Sequence, residues 1–137
     1  MENNLVFIDT SGFKAVVDKN DEFHWKAAKI WRKLKEEKAI LVTSNYILDE
    51  TFTLLRARCG IKAVLKFRKI LAKSSRVLKV VRVTLADEAG AWKWFVKNWS
   101  GLSFTDCVSL ALMKRLGIKK VVSFDRHFSR AGMEAVK

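Results

Sequence analysis

The chain has 137 residues, half of them hydrophobic and 30% charged, a balance that suits one globular domain and excludes a disordered one. Its 27 Lys and Arg against 14 Asp and Glu give a net charge of +13, which favours a polyanionic partner and nucleic acid first. A solvated basic surface of a heat-adapted protein is the plainer reading of the same excess.

No apolar run approaches the roughly 20 residues that cross a membrane. The opening Met1-Glu2-Asn3-Asn4 is not a secretory n-region, so a cytoplasmic location is expected. Cys59 and Cys107 lack CxxC or Cys/His ligand spacing and read as reduced, packed thiols.

Leu5-Val6-Phe7-Ile8 is a continuous apolar run, the pattern of a strand covered on both faces in a parallel sheet. Asp9 follows, and Thr10 or Ser11 can cap a helix carrying Phe13, Val16 and Val17. Asn20 and Asp21 open a second helix with Phe23, Ala27, Ile30, Trp31 and Leu34 at helical spacing. Ala39 to Val42 forms a second buried strand, and a helix then runs from Asn45 to a glycine stop at Gly60.

Ile61 to Lys73 is a further amphipathic helix. Val77 to Val83 alternates with Lys79 and Arg82, as an edge strand does. Thr84 to Asp87 has the capping-box pattern, and its helix sets Glu88, Trp92, Phe95, Val96 and Trp99 along one stripe. Ser103 to Asp106 opens another helix that stops at Gly117, followed by a short apolar strand ending at Asp125. The tail from Arg126 has no firm assignment. This order predicts one α/β domain over residues 1–137 with a mainly parallel sheet.

Parallel strands with right-handed crossovers bring their C-terminal ends to one edge, outside which ligands bind. Asp9 and Asp125 end strands there, while Glu50 and Asp106 lie early in helices that begin there. Each acid has a plainer role: Asp9 as an N-cap, Asp106 as a capping-box partner, Asp125 as a turn residue, Glu50 as a solvent-facing helix position. Their convergence in so basic a chain points instead to a hard cation, Mg2+ or Mn2+, and to phosphodiester cleavage.

The blocks FIDTS at 7–11, LDET around Glu50, LSFTDCVSLALMKRLG at 102–117 and VVSFDRHF at 121–128 resemble PIN-domain ribonucleases, closest to the VapC-like toxins of toxin–antitoxin pairs. The resemblance implies a three-layer α/β/α sandwich and Mg2+- or Mn2+-dependent cleavage of RNA. It places Asp9, Glu50 and Asp106 at the family's core acids and Asp125 at the more variable fourth. Glu50 is preferred over the adjacent Asp49 on that match. Thr10 and Thr105 fall at hydroxyl positions that orient an acid or a water. A separate small antitoxin protein and a homodimer are also implied.

Lys14, Arg126 and Arg130 are the nearest basic candidates for the RNA phosphate, with plain surface charge the simpler reading of each. His24 and His127 need no catalytic role on this reading, with His127 taken as a loop residue. Of the five tryptophans, Trp94 falls off its helix's stripe and is the candidate for an interface. Two alternatives remain: a non-catalytic basic nucleic-acid-binding module, and a PIN nuclease of RNA maturation.

Overall fold

The computed structural model describes residues 4–137; Met1 to Asn3, most of the segment read as no secretory leader, lie outside the described residues. The first half runs β1 (Leu5–Ile8), α1 (Thr10–Val17), α2 (His24–Glu36), β2 (Ile40–Ser44), α3 (Asn45–Cys59), α4 (Ile61–Lys73) and β3 (Leu78–Val81). The second half runs α5 (Leu85–Phe95), α6 (Phe104–Leu116), β4 (Lys120–Val122), α7 (Arg126–Arg130) and β5 (Glu134–Ala135).

The sheet order is β3-β2-β1-β4-β5 and every pairing among the described residues is parallel. Strand order grows in one direction from β1 to β3 and in the other from β4 to β5. Right-handed crossovers therefore put α1 to α4 on one face and α5 to α7 on the other. The result is the expected three-layer sandwich, with its reversal of direction between β1 and β4.

The central strands are apolar because both faces are covered. Val6, Phe7, Ile8, Val121 and Val122 are all fully buried. On the first face Phe67 from α4 packs against Phe13 of α1 and Phe52 of α3, with ring centroids 5.0 and 5.2 Å away. Burying each such ring contributes about 1.5–3 kcal/mol. Where α1 crosses β4, the backbones approach so closely that a Cβ on Gly12 would lie 2.7 Å from the Val122 carbonyl oxygen. Both capping boxes form as read, Thr84 with Asp87 and Ser103 with Asp106.

Several expectations are corrected. Asp9, not Thr10 or Ser11, is the N-cap position of α1, and α2 begins at His24 because Asn20 and Asp21 belong to the preceding turn. β4 ends at Val122, so Asp125 caps α7 rather than closing a strand. The tail supplies that helix and a fifth strand.

The stripe on α5 does not face the core. Leu85 is 85% exposed, Val96 75% and Trp92 55%, whereas Trp94 is half-buried against the core. The core side of α5 is instead carried by small Ala91 and by Asp87, which takes a two-pronged ion pair from Arg115 of α6 at 2.8 and 2.9 Å. Cys59 and Cys107 are free thiols. No helix among the described residues is long and apolar enough to cross a membrane.

Candidate active site

The C-terminal ends of β1, β2 and β4 open into a crevice of about 500 Å³ at the point where strand order reverses. Asp9, Glu50, Asp106 and Asp125 all line it, so the fold brings the four acids together from four separate segments. Asp9 sits at the β1–α1 junction, Glu50 in the second turn of α3, Asp106 at the third position of α6 and Asp125 ahead of α7. Asp49, beside Glu50, is exposed and does not line the crevice.

Each carboxylate has one oxygen anchored by a protein donor. Ser11 and Ser123 both donate to Asp9 Oδ2, at 3.1 and 2.9 Å. The same two hydroxyls accept the backbone N–H groups of Phe124 (2.9 Å) and Asp125 (3.0 Å). Thr10 Oγ1 donates to Glu50 Oε1 at 2.5 Å. Asp106 accepts the Ser103 N–H at 3.1 Å, and Asp125 Oδ1 accepts the His127 N–H at 3.0 Å.

Asp9 Oδ1 differs from these. It is buried and has no hydrogen-bond partner. Burial and then the charge of Asp106 push the Asp9 carboxyl up to about 7. Burial, with Asp125 and Glu50 adding to it, pushes Asp106 up to about 6 despite its bonds to Ser103. A buried, unpartnered carboxylate oxygen on a residue that lines the crevice with three more acids fits a donor set short of a cation, and all-oxygen donors suit a hard divalent ion.

The supporting residues divide. Thr10 orients an acid as anticipated, but Thr105 does not line the crevice, and its described contact is a carbonyl that accepts the Ser109 hydroxyl. Ser11 and Ser123 carry the larger share of the anchoring, and only Ser11 had been singled out, as a helix cap. Lys14 lines the crevice but is held by Asp21 at 2.8 Å and Asp18 at 3.2 Å, which offsets its charge. Arg126 is exposed at the start of α7, and Arg130 lies 4.4 Å from the Trp99 ring centre. Lys26, unnoticed in the sequence, lies 6.0 Å from the ring centre of Phe124, a crevice residue stacked on Phe23 at 4.6 Å.

His127 is not a loop residue. It is buried in α7, its Nε2 is 3.6 Å from Asp125 Oδ1, and one donor atom each from Asp106, Asp125 and His127 fall within 4.8 Å of one another. His24 is also buried, with Nδ1 2.8 Å from the Ala15 carbonyl oxygen, and takes no part in the crevice.

Comparison with known proteins agrees with this geometry. The family model described as PIN domain matches residues 6–133. The 23S rRNA-specific endonuclease VapC20 of Mycobacterium tuberculosis, in strains CDC 1551 / Oshkosh and ATCC 25618 / H37Rv, is 36% identical over 134 residues. That alignment covers 97% of this chain and 98% of the relative. The crystal structure of M. tuberculosis VapC20, described as a sarcin–ricin loop cleaving toxin, superposes with a TM-score of 0.81. It is 35% identical, covering 93% of this chain and 95% of that one. The chain therefore belongs to the PIN-domain family of metal-dependent nucleases, within its VapC-like group of RNA endonucleases.

Proposed function

We propose that Asp9, Glu50, Asp106 and Asp125 hold Mg2+ or Mn2+ and that the crevice cleaves RNA, leaving 5′-phosphate and 3′-hydroxyl ends. The observation that carries the reading is the buried, unpartnered Asp9 Oδ1 among three further carboxylates, in a chain of net charge +13. A divalent cation, when bound, activates water for in-line attack on phosphorus and offsets charge on the scissile phosphate.

The protein's own groups supply position. The two serines fix Asp9 Oδ2 and leave Oδ1 without a protein partner, and Thr10 holds Glu50. Without a cation the crevice repels phosphate, since Asp21 and Glu22 line it along with the four acids. The basic surface gathers the polyanion, with Lys26 beside the crevice residue Phe124 and Arg126 and Arg130 on the helix that follows Asp125.

The biological role that fits is the toxin of a toxin–antitoxin pair acting on structured ribosomal RNA in the cytoplasm, since the relatives' names describe that activity. Its inhibitor would be a separate small antitoxin protein. The whole chain, residues 1–137, is read as one PIN-like domain. The exposed apolar stripe of Leu85, Trp92, Phe95 and Val96 supports a homodimer formed through α5.

The test is cleavage of a ribosomal RNA fragment by purified protein with Mg2+, Mn2+ or chelator, alongside Asp9→Asn and Asp106→Asn. Cleavage that needs the divalent ion and is lost in both variants is expected. Undiminished cleavage in chelator would overturn the reading, and salt-sensitive binding without cleavage would favour the non-catalytic module.

A further inference from the structure

We infer that His127 supplies a nitrogen ligand to the cation held by Asp106 and Asp125, so that the crevice takes a first-row transition dication such as Mn2+ in preference to Mg2+. This rests on the metal site proposed above and adds a donor of a different chemical type to it.

Three observations carry the inference. The first is distance: the donor atoms of Asp106, Asp125 and His127 lie within 4.8 Å of one another. Donors sharing one ion, at bonds of roughly 2.0–2.2 Å, stand at most about 4.4 Å apart, so a small side-chain shift closes the set. The second is burial. His127 is only 5% exposed, yet its Nδ1 has no hydrogen-bond partner and Nε2 has only the 3.6 Å approach to Asp125 Oδ1, too long for a hydrogen bond.

The third is how the ring is held. Trp99 lies parallel to it, with ring centroids 6.4 Å apart and 8° between planes, and Arg130 lies over Trp99. The His127 N–H is already bonded to Asp125 Oδ1, which leaves Nε2 3.6 Å from that same oxygen. Gly101 borders the approach. A Cβ there would stand 3.7 Å from Nε2, and any longer side chain would begin to cover it.

The selectivity follows from ligand type. Carboxylates alone suit Mg2+ and Mn2+ alike, whereas Mg2+ seldom takes nitrogen and imidazole suits transition ions. Losing His127 should therefore weaken Mn2+ and leave Mg2+ nearly unchanged. Steric damage to the crevice would weaken both.

The experiment titrates Mn2+ into the purified full chain without RNA and reads nitrogen coupling by pulsed EPR. The same protein is then labelled with 15N-histidine. The chain holds two histidines, and His24 takes no part in the crevice, so a coupling that shifts on labelling reports His127. His127→Phe keeps a flat ring against Trp99 and removes both nitrogens. Expected are a histidine coupling in the wild type, its absence in His127→Phe, and Mn2+ affinity lowered at least about 10-fold with Mg2+ affinity changed less than about 3-fold.

Bound Mn2+ without nitrogen coupling overturns the inference and leaves the carboxylate site standing. Equal weakening of Mn2+ and Mg2+ also overturns it. Absence of any Mn2+ binding removes both readings together. If His127→Phe does not fold, the isotope shift in the wild type decides alone.

Discussion

Thr10 on α1 and Glu50 on α3 are joined by a 2.5 Å hydrogen bond that links the element after β1 to the element after β2. Thr51 lies beside the link: its hydroxyl donates to the Ile47 carbonyl at 2.7 Å and its oxygen stands 3.3 Å from Thr10 Oγ1. Thr10→Val keeps the shape and removes the donor. Metal affinity measured by calorimetry should fall roughly 10–100-fold, the usual loss when a ligand's support goes. Stability should fall by only about 1 kcal/mol.

Asp9→Asn removes the orphaned carboxylate charge. Cation binding should weaken beyond the roughly 10–100-fold that losing a supporting residue costs, and cleavage should fall with it. In chelator at pH 8 the same variant should melt above the wild type, because it no longer buries a charge there. A variant less stable than wild type under those conditions would count against the buried-charge account.

The pH dependence has a definite sign. The folded Asp9 carboxyl stands at about 7 and that of Asp106 at about 6, both above the ordinary 3.8. In the unfolded chain both lose their protons near 4, so folding is favoured by these groups in acid. That contribution is full below about 4, falls as pH rises above it, and is gone once pH has passed about 6 for Asp106 and about 7 for Asp9. Thermal melts of metal-free wild type against the Asp9→Asn, Asp106→Asn double variant should show the gap turning against the wild type across that window. Saturating divalent cation should close it, and apparent metal affinity should rise with pH over the same range.

Asp87 caps α5 and receives both prongs of Arg115 while almost fully buried, and the ion pair holds its carboxyl below the ordinary range. Asp87→Ala removes the acceptor of the Thr84 N–H in the capping box and leaves Arg115 without that partner. The loss should be about 2 kcal/mol in urea unfolding. Metal affinity should stay within about 3-fold, since Asp87 does not line the crevice.

Leu85, the first residue of α5, and Val96, its C-cap, are strongly exposed apolar side chains at the two ends of that helix. Leu85→Lys combined with Val96→Lys should convert a homodimer to monomer in sedimentation at micromolar concentration, without lowering the thermal midpoint of the monomer. A wild type that is monomeric throughout would remove the α5 dimer.

Some of this molecule is legible in its sequence for a clear reason. Leu5 to Ile8 and Ala39 to Val42 read as buried strands because layers on both sides leave no polar alternation, and capping boxes are local enough to read from four residues. Elements set by distant packing were harder to see. β5 is two residues long, one of them Glu134, and exists because β4 offers it an edge. Periodicity located the apolar stripe on α5 but says nothing about what covers it. His127 looked like one more polar residue in a loop. It lies parallel to Trp99, which comes from the connection between α5 and α6, 28 positions earlier in the chain. The serine pair was hidden for the same reason, since Ser11 and Ser123 meet across β1 and β4.

That last pairing bears on when the enzyme becomes dangerous to the cell that makes it. β1 emerges first from the ribosome but lies beside β4, and Asp9 gains its Ser123 partner 114 positions later in the chain. Contacts this distant form late in folding. A nascent chain halted before that point holds Asp9, Glu50 and Asp106 with Thr10 and Ser11, but lacks Ser123 and Asp125. The crevice is therefore complete only once roughly the last tenth of the chain, with Ser123 and Asp125, has been made.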